Sequence, residues 1–138
     1  SAERNENFTQ IIVNNGVYGM TAGQMSPTSL VGQKTTTSVK GRDPKTMGMP
    51  LKISELISHF DVAYLARGSV HNAAHIRKTK TYIRRAFETQ MNQGGYNCVE
   101  IISPCPTNWH LTPLQAVERI EKEVLEYYPV GEIKGGAR

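Results

Sequence analysis

Blocks of apolar residues alternate with polar ones along the chain and predict three strands separated by helices. The β-branched run at 11–13 is typical of a strand buried on both faces. Residues 62–66 and 98–102 predict two more strands. Strands that alternate with helices form parallel sheets through right-handed crossovers. The pattern therefore predicts an α/β fold on a parallel, Rossmann-like sheet, with two open edges that a further segment would complete.

Three helices are predicted from the spacing of apolar residues, from N-cap residues and from glycines that end helices. Residues 53–60 place apolar side chains at i, i+3, i+4 and i+7, as in a short amphipathic helix. A long helix is predicted from Val70 to Met91, capped by Ser69 and ended at Gly94-Gly95. Thr112-Pro113-Leu114-Gln115 has the residue types of a capping box with proline at the first helical position, which predicts a third helix.

Two segments have no sustained apolar period. Gln24 to Lys52 is rich in Thr, Gly and Pro, and loops of this length are usually functional or disordered. We expect it to make few contacts of its own and to become ordered against a phosphate ligand. Residues 131–138 are predicted to be a flexible tail. The whole chain, 1–138, has the length of one domain.

Composition excludes some function classes. The net charge of +4 is concentrated between Arg77 and Arg85, but these charges fit the solvated face of an amphipathic helix. Nucleic-acid binding is therefore disfavoured relative to docking of an acidic protein partner. No apolar run approaches the roughly 20 residues of a membrane span, and the first residues are polar, so a cytoplasmic protein is expected. Two cysteines suggest neither a disulfide framework nor a self-contained zinc site.

The run from Asn14 to Gln24 is the strongest candidate site. It follows the first predicted strand and places amides, hydroxyls and three glycines where α/β folds bind phosphates. Asparagine oxygens and main-chain carbonyls suit Mg²⁺, which takes few protein ligands and completes its shell with phosphate and water. By itself, an asparagine pair is more typical of a polar turn. The glycines and hydroxyls that follow favour the binding site.

The other candidate site residues give weaker evidence for a function when taken by themselves. Cys105 lies between two prolines after the third strand, which suits an ordered thiol at the functional edge or a structural buried cysteine. His71 and His75 have the spacing of helical zinc ligands, but no third ligand is suggested, so a zinc site is disfavoured. No serine–histidine–aspartate order or carboxylate pair stands out, so no catalytic residue is assigned.

Taken together, the motifs resemble a known family. They occur at Asn14–Gln24, Pro27-Thr28, Lys34–Thr37 and Ser103–Trp109. In this order they are similar to the thiamine-diphosphate-binding β subunit of 2-oxoacid:ferredoxin oxidoreductases, most closely the 2-oxoisovalerate/2-oxoglutarate type. That family's thiamine motif begins with a Gly-Asp-Gly whose Asp is the other magnesium ligand, and the triplet does not occur in this sequence. The chain is therefore expected to be the C-terminal part of the thiamine-diphosphate-binding (pyrophosphate) domain.

The resemblance implies a cofactor site for thiamine diphosphate and Mg²⁺. Asn15 would give a side-chain oxygen, and Val17 its carbonyl, to the metal. Tyr18, Gly19 and Thr21 would lie beside the diphosphate, where glycine permits close approach of the backbone and a hydroxyl or amide can bind phosphate oxygens.

Two further residues are interpreted through the resemblance. Ala22 stands where the family usually has a second glycine, so a left-handed backbone there would be less comfortable. Cys105 corresponds to a cysteine that, in many relatives, is the fourth ligand of an iron–sulfur cluster. It is a possible ligand of a [4Fe–4S] cluster in the intact protein, with the other thiolates supplied from outside this chain.

The implied function is oxidative decarboxylation of a 2-oxoacid to an acyl-coenzyme A, with ferredoxin as electron acceptor. The implied partners are the other subunits of the oxidoreductase (α, γ and δ type), ferredoxin, coenzyme A and the 2-oxoacid. The glutamate that activates the thiamine ring comes from another subunit or domain in the family, so the isolated chain is expected to be inactive. The alternative is a non-catalytic nucleotide- or phosphate-binding α/β module.

Overall fold

The computed structural model describes residues 1–135. Its strands are β1 (Thr9–Asn14), β2 (Val17–Tyr18), β3 (Gln24–Met25), β4 (Tyr64–Ser69), β5 (Asn97–Ile102) and β6 (Gly131–Lys134). Its helices are α1 (Pro44–Met47), α2 (Ile53–Ser58), α3 (Ala73–Gln93), α4 (Pro106–Trp109), α5 (Pro113–Arg119) and α6 (Leu125–Tyr127). A 3₁₀ turn occupies Gly19–Thr21, and a π-helical turn, Ile120–Val124, joins α5 to α6.

The main sheet has the strand order β1-β5-β4-β6. Strands β1, β5 and β4 are parallel, which confirms the predicted α/β architecture. Strand β6 is antiparallel to β4, so the sheet is mixed and not purely parallel. The expectation that β1 is buried on both faces is wrong, because β1 is an edge strand: Ile11 is 38% and Val13 64% exposed.

The predicted flexible tail begins with ordered structure. Gly131–Lys134 forms β6 and closes the free edge of β4. Side chains fasten it: the Tyr64 hydroxyl donates to Glu132 Oε1 at 2.7 Å, and Lys134 Nζ donates to the Phe60 carbonyl at 2.6 Å. Residues 131–134 are therefore a strand rather than a tail, and the last three residues of the predicted tail lie outside the described part of the chain.

Of the three helix ends predicted from the sequence, two are confirmed. Gly94 ends α3, and Thr112 with Gln115 forms a reciprocal capping box at the start of α5. Ser69 is not the cap of α3. It is the last residue of β4, which runs beyond the predicted strand, and Asn72 caps α3 by accepting from the His75 N–H at 2.9 Å.

Both faces of the sheet are covered. On one face, Tyr82 and Ala86 of α3 pack on Ala66, Val99 and Ile101. On the other face two clusters lie side by side. One joins α2 to the strands, and its buried members are Ile57, Val62, Leu65, Tyr96 and Cys98. The other lies under α4 to α6, and its buried members are Val17, Ile102, Trp109, Ala116, Ile120, Val124 and Tyr128. Within residues 1–135, no helix combines the length and apolar character needed to cross a membrane.

The long polar segment from Gln24 to Lys52 is organised around one buried guanidinium. Arg42 is only 5% exposed. Its side chain donates to six backbone carbonyls, those of Ser26, Pro27, Ser29, Met47, Gly48 and Met49. The Tyr128 hydroxyl also donates to the Thr28 carbonyl at 2.9 Å. The expectation of few contacts is wrong because five guanidinium N–H groups replace the apolar core that the segment lacks.

Candidate cofactor site at the carboxyl edge of the sheet

The two sequence motifs meet at one edge of the sheet. Because β1 and β5 are parallel neighbours, the residues after Asn14 and after Ile102 emerge side by side. The Ser103 N–H donates to the Asn14 carbonyl at 3.0 Å, and the Trp109 indole N–H donates to the Asn15 carbonyl at 3.1 Å. The structure therefore brings together the loops that the sequence analysis treated separately.

Two consecutive asparagine turns shape the start of the first loop. Asn14 Oδ1 accepts from the Gly16 N–H at 3.1 Å, and Asn15 Oδ1 accepts from the Val17 N–H at 3.2 Å. Gly16 has φ 66°, a left-handed conformation for which glycine is suited. The local bonding of asparagine that makes it common in turns is thus present, and it fixes the Asn15 amide beside the Val17 backbone.

The backbone between these turns is also held from the long segment. The Gly16 carbonyl accepts from the Ser29 hydroxyl at 2.6 Å and from the Gln33 amide at 2.8 Å. Ser29 is fully buried. The carbonyl of Gly16 is therefore saturated by protein donors, whereas Asn15 and Val17 remain the residues of this turn that the resemblance assigns to magnesium.

The second half of the loop is a tight hairpin. Val17–Tyr18 pairs with Gln24–Met25, and the 3₁₀ turn lies between them. Gly23 N–H donates to the Tyr18 carbonyl at 3.0 Å, and the Thr21 hydroxyl lies 3.3 Å from the same carbonyl. Ala22 has φ 71° and ψ 34°, so its backbone is left-handed.

Asn108, in the second motif, packs directly against the glycines of the first. A Cβ on Gly23 would lie 2.7 Å from Asn108 Oδ1, and a Cβ on Gly19 would lie 3.3 Å from Asn108 Nδ2. The same amide donates to Cys105 Sγ at 3.3 Å. Asn108 lies within the second sequence motif, but the sequence suggested no role for it. The only available signal was its spacing of three residues from Cys105.

Cys105 is half-buried at the start of α4 and packs against the cluster around Trp109. Cys98 is fully buried within β5, where burial raises the pKa of its thiol to about 11. Within residues 1–135, no group of three or more His, Cys, Asp or Glu side chains could hold a metal ion. A cluster at Cys105 would therefore need its other thiolates from outside these residues.

A buried ion pair that sequence reasoning missed lies beneath the loop. Arg67 of β4 and Glu100 of β5 are cross-strand neighbours, both fully buried, with Arg67 Nε 2.8 Å from Glu100 Oε2. Arg67 also pairs with Glu55. Burial acts to lower the pKa of Arg67, but the two carboxylates raise it above its ordinary value. A charged residue inside each of two apolar strand segments was the signal that could have revealed this pair.

His71 and His75 pack against each other near the start of α3. His71 Nδ1 lies 2.7 Å from the Ser69 hydroxyl, and its ring is 4.3 Å from that of His75, centroid to centroid. Burial and the neighbouring His75 lower the pKa of His71. His71 therefore acts as a hydrogen-bonded residue between β4 and α3.

Comparisons with known proteins agree with the geometry. The family described as "Thiamine pyrophosphate enzyme, C-terminal TPP binding domain" matches residues 1–101. Ketoisovalerate oxidoreductase subunit VorA of Methanothermobacter marburgensis is 42% identical over 91% of this chain and 26% of its own length. 2-Oxoglutarate synthase subunit KorB of Archaeoglobus fulgidus is 29% identical over 88% of this chain and 42% of its own length. The chain thus spans less than half of these curated relatives.

A solved structure gives the same result. The 2-oxoglutarate:ferredoxin oxidoreductase from Magnetococcus marinus, determined with 2-oxoglutarate, coenzyme A and succinyl-CoA bound, is 26% identical. It aligns with 77% of this chain and 33% of the solved chain, with a TM-score of 0.60. The arrangement of strands and helices is therefore similar to that of part of this 2-oxoglutarate:ferredoxin oxidoreductase.

Proposed function

We propose that this chain, which belongs to the family of C-terminal TPP-binding domains of thiamine pyrophosphate enzymes, holds Mg²⁺ and the diphosphate in a 2-oxoacid:ferredoxin oxidoreductase. The observation that carries the proposal is the convergence of the Asn14–Gln24 and Ser103–Trp109 loops at the carboxyl edge. The relatives named for ketoisovalerate and 2-oxoglutarate favour oxidative decarboxylation of a 2-oxoacid over a non-catalytic phosphate-binding module.

The donor set fits one part of a magnesium shell. Asn15 Oδ1 and the Val17 carbonyl are neutral oxygens on one turn, and oxygen is the ligand type that Mg²⁺ takes. Glu100 is the nearest buried carboxylate in this network, but protein donors engage both of its oxygens: Asn14 on Oε1, and Arg67 with Ser54 on Oε2. We therefore propose that an acidic ligand for the metal comes from outside the described residues.

The roles of the other loop residues follow from their exposure and their backbone. Gly19 is half-buried, and Tyr18 and Thr21 are exposed, so their backbone and hydroxyl groups are accessible to a diphosphate. A side chain on Gly19 or Gly23 would collide with Asn108. The two glycines therefore allow the loop to pack closely against α4. These residues bind and orient. Bound thiamine diphosphate supplies the nucleophilic carbon for decarboxylation of a 2-oxoacid.

The wider assembly is part of the same proposal. Coenzyme A would accept the acyl group, and ferredoxin the electrons, in an enzyme completed by further subunits. Cys105 is proposed as one thiolate of a [4Fe–4S] cluster in the intact protein. Its half-buried position and the amide donor of Asn108, 3.3 Å from Sγ, support this role, because hydrogen bonds to cluster sulfurs tune such centres.

Asn15→Ala in the intact enzyme tests the proposal. We expect the affinity for thiamine diphosphate at fixed Mg²⁺ to fall about tenfold, the effect of losing one ligand oxygen worth roughly 1.4 kcal/mol. Asn92→Ala, an exposed asparagine on α3, is the matched control and should leave it unchanged. ATP titrated in parallel should not compete. Equal cofactor affinity in Asn15→Ala and the parent enzyme, or tighter binding of ATP than of thiamine diphosphate, would overturn the proposal.

A further inference from the structure

The buried ion pair continues as a chain of hydrogen bonds to the candidate metal turn. Glu100 Oε2 accepts from Arg67 Nε at 2.8 Å and from the Ser54 hydroxyl at 2.5 Å. Its other oxygen, Oε1, accepts from the Asn14 side-chain amide at 2.7 Å. Arg67, Glu100 and Ser54 are all fully buried, and Asn14 is 7% exposed. The chain therefore runs inside the protein from β4 to the last residue of β1.

The charge of Glu100 decides which way the Asn14 amide points. An ionised carboxylate only accepts hydrogen bonds, so the NH₂ of Asn14 must face it and Oδ1 must face the opposite side. On that side Oδ1 accepts from the Thr28 hydroxyl at 2.7 Å and from the Gly16 N–H at 3.1 Å. Reversal of the amide would place NH₂ against the N–H of Gly16 and leave Glu100 without a donor.

Hydrogen bonds thereby hold the peptide groups on both sides of Gly16, next to Asn15. Asn14 fixes the N–H of Gly16, while Ser29 and Gln33 fix its carbonyl. The Val17 N–H, which belongs to the same peptide group as the Gly16 carbonyl, donates to Asn15 Oδ1. Asn15 and Val17 thus lie on a backbone whose geometry is fixed before any ligand enters.

A buried ion pair contributes little net stability, since replacing both partners by apolar residues is often neutral or stabilising. Mg²⁺ demands near-ideal octahedral geometry, whereas Ca²⁺ tolerates variable shells. We propose that Asn14, oriented by the Arg67–Glu100 pair and held by Thr28, is a positioning residue that sets the Asn15–Val17 turn to the geometry of Mg²⁺. This inference rests on the proposed function, because it assumes that Asn15 and Val17 face the metal.

The test uses Thr28→Val in the intact enzyme, because it removes the donor to Asn14 Oδ1 without a large change of volume. Thiamine diphosphate affinity should fall about fivefold with Mg²⁺, as expected for one hydrogen bond of about 1 kcal/mol, and less than twofold with Ca²⁺. Thr28→Ser keeps the hydroxyl and should restore the Mg²⁺ value. In cofactor-free enzyme, amide hydrogen exchange across residues 14–18 should be faster in Thr28→Val than in Thr28→Ser.

Thr79→Val is the matched structural control. Thr79 is also buried, and its hydroxyl makes two hydrogen bonds, to the backbone N–H and C=O of Ser69. Thr79→Val should lower the melting temperature. It should not alter the ratio of thiamine diphosphate affinities with Mg²⁺ and Ca²⁺, or the amide hydrogen exchange at residues 14–18. If Thr28→Val behaves like Thr79→Val in these readouts, the positioning role is wrong. Where Thr28→Val fails to assemble, Thr28→Ala removes the same donor without a methyl group against Asn14.

The Asn15→Ala result separates the two proposals. If Asn15→Ala weakens Mg²⁺-dependent binding and Thr28→Val does not, only the positioning role falls. If Asn15→Ala has no effect, the proposed function falls, and hydrogen exchange in the cofactor-free enzyme still decides whether Thr28 and Asn14 hold the turn.

Discussion

Adjacent substitutions at Ala22 and Gly23 should have opposite effects because both residues are left-handed, so that Ala22→Gly relieves strain and Gly23→Ala introduces it. Ala22 has φ 71° and is exposed, and Gly23 has φ 76° and is buried against Asn108. The left-handed region costs an L residue roughly 1–2 kcal/mol, and glycine avoids that cost. The two positions therefore differ in what a Cβ meets, not in their backbone.

Ala22→Gly removes the strain but adds the entropy that glycine loses on folding, about 0.5–1 kcal/mol. The net expectation is a gain of about 0.5–1 kcal/mol. Gly23→Ala adds about 1–2 kcal/mol of strain but recovers about 0.5–1 kcal/mol of glycine entropy. Its Cβ would also lie 2.7 Å from Asn108 Oδ1, so Asn108 must move and give up its hydrogen bond to Cys105, at about 0.5–1.5 kcal/mol. The sum is a loss of about 1–2.5 kcal/mol.

Thermal unfolding of the intact enzyme provides the assay. For a unit of this size, 1 kcal/mol corresponds to about 3 °C, so Ala22→Gly should raise the melting temperature by about 2–3 °C and Gly23→Ala should lower it by about 3–8 °C. Gly131→Ala is the control, since a Cβ there meets nothing within 4 Å. A melting temperature lowered by Ala22→Gly, or unchanged by Gly23→Ala, would refute the backbone argument.

Three further outcomes are expected. Cys105→Ser in the intact enzyme should lower its bound iron and the signal of a reduced [4Fe–4S] centre, whereas Cys98→Ala should keep both; equal iron in the two variants would remove Cys105 as a ligand. Burial raises the pKa of Glu55, but the hydrogen bond from Arg67, a backbone hydrogen bond and the charges of Arg67 and Lys52 together hold the pKa below its ordinary value. The stability from Glu55 is therefore complete above about pH 4.5 and is lost as the pH falls through the folded-state pKa. Glu55→Gln should reduce this acid dependence and the exposed Glu88→Gln should not, as acid unfolding curves would reveal. The isolated chain should not reduce a viologen dye with any 2-oxoacid and coenzyme A, and measured turnover would contradict this.

Local signals in the sequence predicted the three longest helices, α2, α3 and α5. Gly94 and the Thr112 capping box act through the backbone of their own neighbourhood, so the residue types suffice to place them. Strand pairing is not local. Residues 131–134 pair with a strand more than sixty residues earlier, and four residues after a proline carried no signal of that partner. The exposure of Val13 likewise depends on which strands flank β1 and not on its own β-branched pattern.

The candidate site was predictable as a position but not as a network. The motif at Asn14–Gln24 located the loop, yet its support comes from Thr28, Ser29 and Gln33, which the polar character of the long segment did not distinguish. Arg42 shows why: a single buried guanidinium with six carbonyl acceptors orders a segment that has no apolar period.

The chemistry of the donors suggests how the metal site is divided. Asn15 and Val17 offer neutral oxygens, and the buried carboxylate beneath them, Glu100, is committed to Arg67, Ser54 and Asn14. At the proposed site, the positive charge of Mg²⁺ would be balanced by the diphosphate and by an acidic group from elsewhere in the enzyme. A turn that contributes geometry but no charge needs to be rigid, since little electrostatic attraction would draw it toward the ion. On this proposal, the buried network behind Asn14 supplies that rigidity, and its own carboxylate stays bound to Arg67, Ser54 and Asn14.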